Sequence, residues 1–181
     1  GAGTSQGGQT VGKSLVLDAS KYLIAVRHFE SSKRAISVEP GLVLDRLNDF
    51  LEPHGLFFPV DVSTSSRATI GGMAGNNSVG ARSIRYGHMV DNVSGIDAVL
   101  ADGECVHFHS GTPSVTEGRL PDLFARMQAL YAREREEIDK RFPRVARNVA
   151  GYNLNRLGRT DSNLADLLVG SEGTLAWFQT L

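Results

Sequence analysis

The chain has a single cysteine, Cys105, among 181 residues, so it cannot close an internal disulfide. That suits a reducing compartment, and the cytoplasm is the expected location. It has no apolar run near the ~18 residues that read as a membrane-spanning helix, and no basic-plus-apolar leader. Any membrane association is expected to be peripheral, through a longer parent protein. Positive charge is not in excess either. Nineteen Lys and Arg stand against 20 Asp and Glu, a formal net charge of −1, whereas gripping a nucleic-acid backbone takes a surplus of cations. A nucleic-acid partner is therefore not expected. Internal repeats and low-complexity tracts are absent as well, and the length suits one packed domain or two small lobes.

What the chain has is glycine, concentrated in two runs. Gly1-Ala2-Gly3-Thr4-Ser5-Gln6-Gly7-Gly8-Gln9 opens it, and Ala68-Thr69-Ile70-Gly71-Gly72-Met73-Ala74-Gly75-Asn76-Asn77-Ser78-Val79-Gly80 follows later. Without a Cβ the backbone can approach a bulky ligand closely and present its N–H groups. Two such loops imply a large phosphate-bearing cofactor held between them. Gly1 begins inside what reads as a binding loop, so the chain is expected to be a piece of a longer protein.

Between the loops the hydrophobic pattern is local. Ser14-Leu15-Val16-Leu17-Asp18 reads as a short buried strand. Tyr22-Leu23-Ile24-Ala25-Val26 is expected to pair with Ala35-Ile36-Ser37-Val38 across a polar turn. Residues 42–52 carry Val43, Leu44, Leu47, Phe50 and Leu51 at helical spacing, closed by His54-Gly55. Asp102-Gly103 between Gly95-Ile96-Asp97-Ala98-Val99-Leu100 and residues 104–108 signals a hairpin. A long amphipathic helix follows, with Leu120, Leu123, Phe124, Met127, Leu130, Tyr131 and Ile138 inward, stopped by Pro143. Its charged residues 133–140 read as a solvated face. Gly170-Ser171-Glu172-Gly173 breaks the apolar tail. Hairpin-paired strands with separate helices give an α+β class, a mixed or largely antiparallel sheet flanked by helices.

Gly7-Gly8-Gln9-Thr10-Val11-Gly12-Lys13-Ser14 satisfies the P-loop pattern of nucleotide hydrolases. That mechanism requires a helix starting at the lysine, so that its dipole meets the phosphates. Leu15-Val16-Leu17 favours a strand instead, and a P-loop nucleotide hydrolase using residues 7–14 stands only as an alternative.

In order along the chain stand Gly1-Ala2-Gly3-Thr4-Ser5, Val38-Glu39-Pro40-Gly41, Pro59-Val60-Asp61 with Thr69-Ile70-Gly71-Gly72-Met73, Ala81-Arg82-Ser83-Ile84-Arg85-Tyr86-Gly87, Arg147-Asn148 with Gly151-Tyr152-Asn153-Leu154, and Gly170-Ser171-Glu172-Gly173-Thr174-Leu175. Together they resemble the FAD-binding domain of the vanillyl-alcohol oxidase (PCMH) type, and within it the FAD-linked D-2-hydroxyacid dehydrogenases acting on D-lactate, glycolate or D-2-hydroxyglutarate. The resemblance covers nearly all of residues 1–181. It implies one incomplete FAD-binding domain, without the early strands of its first lobe and without a C-terminal cap domain. It also implies a small-molecule 2-hydroxy acid as substrate, hydride transfer to FAD, and an electron carrier rather than NAD as acceptor. The catalytic base is expected on the cap, so no catalytic residue is assigned here and the chain alone is expected to be inactive. A carbohydrate-type flavin oxidase is the other alternative.

The expected cofactor set follows. Gly1, Gly3, Thr4, Ser5, Gln6 and Gly7 offer N–H groups and hydroxyls to a pyrophosphate. Pro59, Val60, Asp61, Thr69, Ile70, Gly71, Gly72, Met73, Asn76, Asn77 and Gly80 form the second loop. There Thr69, Asn76, Asn77 and Ser78 suit ribityl and ring-edge groups, and Val60, Ile70 and Met73 suit ring faces. By resemblance Glu172, Gly173 and Thr174 lie near the adenine end. Neither His nor Cys occurs in residues 1–9 or 69–81, so FAD is expected to be held non-covalently. Arg82, Arg85 and Arg147 are candidates for holding a substrate carboxylate, and Tyr152 for facing the substrate. Cys105, His107 and His109 share one strand face but read as an outward surface rather than a metal set; no metal is expected.

Overall fold

The computed structural model describes residues 2–4, 12–13, 15–113, 118–158 and 162–181. Two antiparallel sheets carry the fold. Strand β1 (Val26–Glu30) turns through a 3-10 helix at Ser31–Lys33 into β2 (Ala35–Val38). Strands β3 (Gly95–Val99), β4 (Cys105–His109) and β5 (Trp177–Thr180) form a sheet in the order β4-β3-β5. The sheets meet at one reciprocal backbone pair. Val38 N–H donates to Leu181 O at 2.8 Å, and Leu181 N–H donates back to Val38 O at 2.9 Å. Helices α1 (Leu44–Leu51), α2 (Ile70–Gly75), α3 (Ser83–Tyr86), α4 (Leu120–Arg141) and α5 (Ala165–Leu168) complete the α+β architecture.

The β3–β4 hairpin follows its alternation. Ile96, Ala98, Val106 and Phe108 are buried, while Asp97 and His107 face outward, because successive strand residues point to opposite sides. Gly103 takes φ +88° behind a turn closed by its N–H to Leu100 O at 2.9 Å, so Asp-Gly serves a longer loop with a left-handed glycine. Leu44, Leu47 and Leu51 bury one face of α1, and His54-Gly55 ends it, Gly55 lying at φ +68°. Charged residues of α4 lie outside, and Tyr131 on its inner side packs against Gly158, where a Cβ would come 2.1 Å from the ring.

Two strand expectations are corrected. Leu15, Val16 and Leu17 form no strand among the described residues and are 85%, 80% and 54% exposed; Ser14 lies outside the described residues. Apolar composition alone does not supply a pairing partner. Of the run 22–26 only Val26 joins a strand, because β1 extends forward through Glu30. Residues 19–25 instead lie along 39–41. Gly41 N–H donates to Leu23 O at 2.8 Å, and a Cβ on Gly41 would come 2.1 Å from Ala19 O. The buried Glu39 carboxylate accepts from Ala25 N–H at 2.8 Å and pairs with Arg27. The Ala25 N–H bond, with Arg27 adding to it, holds the Glu39 carboxyl below its ordinary range against its burial.

Helix α2 is positioned by backbone contacts. Ile70 N–H donates to Leu42 O and Gly71 N–H to Pro40 O, both at 2.8 Å, and Leu44 N–H returns a bond to Ala68 O at 2.9 Å. Gly71 permits this approach, since a Cβ there would come 2.5 Å from the Pro40 Cβ. Gly75 faces nothing closer than Glu172 Cα at 3.8 Å. Gly71→Ala is expected to destabilise the chain by about 1–3 kcal/mol through overpacking. Gly75→Ala should gain up to about 1 kcal/mol from helix propensity. Urea-unfolding midpoints of the two variants, moving in opposite directions, check this.

Candidate functional site

The C-terminal end of α2 is where distant segments converge. Ala74 O accepts from Gly170 N–H at 2.8 Å, and Gly75 O accepts from Glu172 N–H at 2.9 Å. A Cβ on Gly170 would come 3.3 Å from Asn77 Cβ and 3.4 Å from Gly151 O. Asn153 Nδ2 donates to Asp166 O at 2.9 Å and to Val169 O at 2.8 Å, anchoring residues 151–153 to α5. Three of the expected segments, 69–80, 151–154 and 170–174, thus meet at one place.

The turn at 171–174 is of the type I′ kind. Glu172 and Gly173 take φ +50° and +77°, and Thr174 N–H closes on Ser171 O at 3.0 Å. Glycine adopts this conformation freely, and a glutamate only at some cost in strain. Thr174 Oγ1 donates to Ser171 O at 2.6 Å, and the Tyr152 hydroxyl lies 2.9 Å from Thr174 Oγ1. Glu172, Gly173, Thr174 and Tyr152 are exposed.

Other expected cofactor residues divide by burial. Val60, Ile70, Met73 and Asn77 are 1–2% exposed, so their side chains belong to the core and offer no surface to a ring. Asn77, left-handed at φ +49°, accepts from Val90 N–H at 3.0 Å and ties the 3-10 helix Met89–Asn92 to α2. Thr69 caps α2, accepting from Gly72 N–H at 3.3 Å. Most N–H groups expected to face a ligand in this loop are spent internally: Met73 donates to Thr69 O, Asn76 to Gly72 O and Asn77 to Ala74 O. Gly72 and Asn76 remain on the surface, and Pro59 is partly buried. Gly1, Ser5, Gln6 and Gly7 lie outside the described residues. Gly3 (φ +71°) and Thr4 are exposed, and their N–H groups, like that of Gly173, have no hydrogen bond among the described residues.

At the far end of the second loop, Asp61 organises a second cluster. Its carboxylate accepts from Arg82 N–H at 3.1 Å and from Arg82 Nε at 2.8 Å. A Cβ on Gly80 would come 2.1 Å from Asp61 Oδ1, so only glycine fits there. The Arg82 guanidinium lies 4.9 Å from the Phe57 ring centre and 5.7 Å from that of Tyr86. Arg85 stacks at 5.3 Å on the Tyr86 ring. Arg147 reaches the Gly80 carbonyl at 3.4 Å, and no carboxylate pairs with it among the described residues. Of the three arginines, Arg82 is committed to structure.

Two side chains that the sequence did not single out complete the framework. Asp91 accepts from His88 N–H at 2.8 Å and pairs with Arg156, which also reaches Asp166 at 3.6 Å. Burial works to raise the Asp91 carboxyl, and the bonds from His88 and Arg156 outweigh it, leaving it below its ordinary value. Arg156 lies 65 residues from Asp91, so no local pattern announces the pair. His88 is a cap of that 3-10 helix.

His107 Nδ1 lies 2.6 Å from an Asp97 carboxylate oxygen and its ring stacks on His109 at 5.3 Å. Among the described residues no group of three His, Cys, Asp or Glu could hold a metal. Residues 15–19, after Lys13, take no helix, so the dipole a P-loop needs is missing there; Gly7 to Val11 and Ser14 lie outside the described residues. No described helix is long and apolar enough to cross a membrane.

Residues 1–109 match the FAD binding domain family. The chain belongs to that family. It is 34% identical to D-2-hydroxyglutarate dehydrogenase of Haemophilus influenzae over 98% of this chain and 18% of that relative. It is 32% identical to D-lactate dehydrogenase [cytochrome] 1, mitochondrial, of Saccharomyces cerevisiae over 91% of this chain and 20% of that protein. Glycolate oxidase subunit GlcD of Bacillus subtilis is 30% identical over 86% of this chain and 24% of its own length. The chain therefore spans about a fifth of the length of these relatives.

The exposed groups fit FAD. The N–H groups of Gly3, Thr4 and Gly173, without a hydrogen bond among the described residues, and the Thr4 hydroxyl suit a diphosphate without fixed cations. Asn76 and Thr174 suit ribityl hydroxyls or a ring edge.

The Arg82 N–H bond is the main cause holding the Asp61 carboxyl below its usual value, with the Arg82 side chain adding to it. A depressed folded pKa contributes stability above the unfolded value, and that contribution is lost as pH falls through the folded one. Asp61→Asn is therefore expected to lower Tm at pH 7. Its deficit against the unchanged chain should shrink as pH drops below about 4. Melting curves from pH 7 to 2.5 check this.

Proposed function

We propose that the chain is the FAD-binding part of an oxidoreductase that oxidises a small 2-hydroxy acid of the D-2-hydroxyglutarate, D-lactate or glycolate type. The observation that carries this is the convergence of residues 75–77, 151–153 and 170–174, with the exposed Gly173 N–H among them. Relatives whose names specify these hydroxy acids support the substrate class. Bound FAD supplies the ring that accepts a hydride from the substrate. The chain's own residues bind and orient. Gly3, Thr4 and Gly173 donate to the cofactor, and Asn76 and Thr174 hydrogen-bond its polar edge. Arg147, free of an acidic partner among the described residues and next to Gly80, holds the substrate carboxylate through a bidentate guanidinium pair. The catalytic base comes from a separate cap domain, and an electron carrier reoxidises the enzyme.

The cofactor is held without a covalent bond. Titration of the chain with FAD should give saturable binding and a shifted visible flavin band. Denaturation should then release all of the yellow colour to the supernatant; flavin remaining with the precipitated polypeptide contradicts the non-covalent assignment. In the full-length protein, Arg147→Ala should raise KM for the hydroxy acid about 10- to 100-fold, as loss of a charged hydrogen-bonding pair does, with FAD content unchanged. Arg82→Ala should instead lower thermal stability.

A further inference from the structure

We infer that Tyr152 is a positioning residue for the cofactor turn at 171–174, acting through Thr174 rather than through the substrate. This rests on the flavin-binding proposal above.

The turn begins at Ser171, whose N–H bonds Leu168 O at 3.1 Å, and further contacts fix the rest of it. Glu172 N–H is bonded to Gly75 O at 2.9 Å, Thr174 N–H and Oγ1 both close on Ser171 O, and the Tyr152 hydroxyl bonds Thr174 Oγ1 at 2.9 Å. The first ties the turn's backbone to the end of α2, and the second closes the turn on itself. The third brings in a side chain 22 residues away, and among the described residues it is the one hydrogen bond that fixes the direction of the Thr174 side chain from outside the turn. Thr174 Oγ1 donates its hydrogen to Ser171 O, so toward Tyr152 it acts as acceptor and the phenol donates. That polarity leaves Thr174 Oγ1 one further acceptor position on an exposed residue, next to the exposed Gly173 N–H, which has no hydrogen bond among the described residues. Tyr152 is itself placed by its neighbour Asn153, whose amide bonds Asp166 O and Val169 O.

Glu172 at φ +50° makes the turn costly to maintain. Cross-links that narrow its motion therefore lower the entropy lost when a ligand is bound. Tyr152 is 40% exposed and Thr174 is also exposed, so their hydrogen bond adds little to the stability of the chain alone. A purely structural tyrosine and a positioning tyrosine thus differ in what they move: the former shifts apo stability, the latter ligand affinity.

The test is a double-mutant cycle of Tyr152→Phe and Thr174→Val, reading the FAD dissociation constant and the Tm of the FAD-free chain, with Thr174→Ser as the conservative variant. Tyr152→Phe should weaken FAD binding about three- to tenfold with the FAD-free Tm unchanged. Thr174→Ser should retain affinity, and the double variant should lose no more than Thr174→Val alone. Unchanged affinity in Tyr152→Phe, strictly additive losses, or an affinity loss matched by a fall in the FAD-free Tm overturns the inference while leaving flavin binding intact. An unsubstituted chain that binds no FAD overturns both.

Discussion

The site depends on where the last carbonyls of α2 go. A helix end leaves carbonyl groups without intrahelical partners, and here Ala74 O and Gly75 O are taken by Gly170 and Glu172, nearly a hundred residues further along. The opposite end of α2 is zipped to residues 40–44 through Leu42 O and Pro40 O. Six residues of helix thereby join the first sheet's exit strand to the closing turn of the chain. Long apolar side chains have no part in these particular contacts. Close backbone approach does, and Gly71 at one end and Gly170 at the other are what allow it.

A division of labour follows within the glycine-rich segment. Its buried half, Ile70, Met73, Ala74 and Asn77, makes core and capping contacts. Its exposed half, Gly72 and Asn76, lies on the surface, Asn76 directly after the Gly75 whose carbonyl holds the turn at 171–174. A loop rich in glycine therefore does two physical jobs, letting backbones pack against each other and leaving a few groups outward. At the other end, Asp61 performs a comparable service, fixing Arg82 and requiring glycine at position 80. Arg147 lies beside that corner, paired with no carboxylate among the described residues.

Much of this was legible in the sequence because it was local. Helix α1 and the long α4 follow 3.6-residue periodicity, and the β3–β4 hairpin follows strict alternation with Asp-Gly between. The order of short motifs located the segments that meet at the site. What was not legible depends on distant partners. Leu15, Val16 and Leu17 look like a strand, yet strand formation needs a neighbour with free backbone groups, and composition does not supply one. Val60, Ile70 and Met73 looked available to a ring face, but apolar residues in a binding loop and in a core carry the same letters. The Asp91–Arg156–Asp166 network and the spent donors of α2 likewise come only from tertiary packing.

Amide hydrogen exchange, with and without FAD, bears most directly on whether the separate turns grip one ligand. Added FAD should slow exchange together at residues 2–4, 151–153 and 172–174, with little change along α4. Protection confined to one of these segments, or absent from all of them at saturating FAD, would contradict a shared flavin cradle.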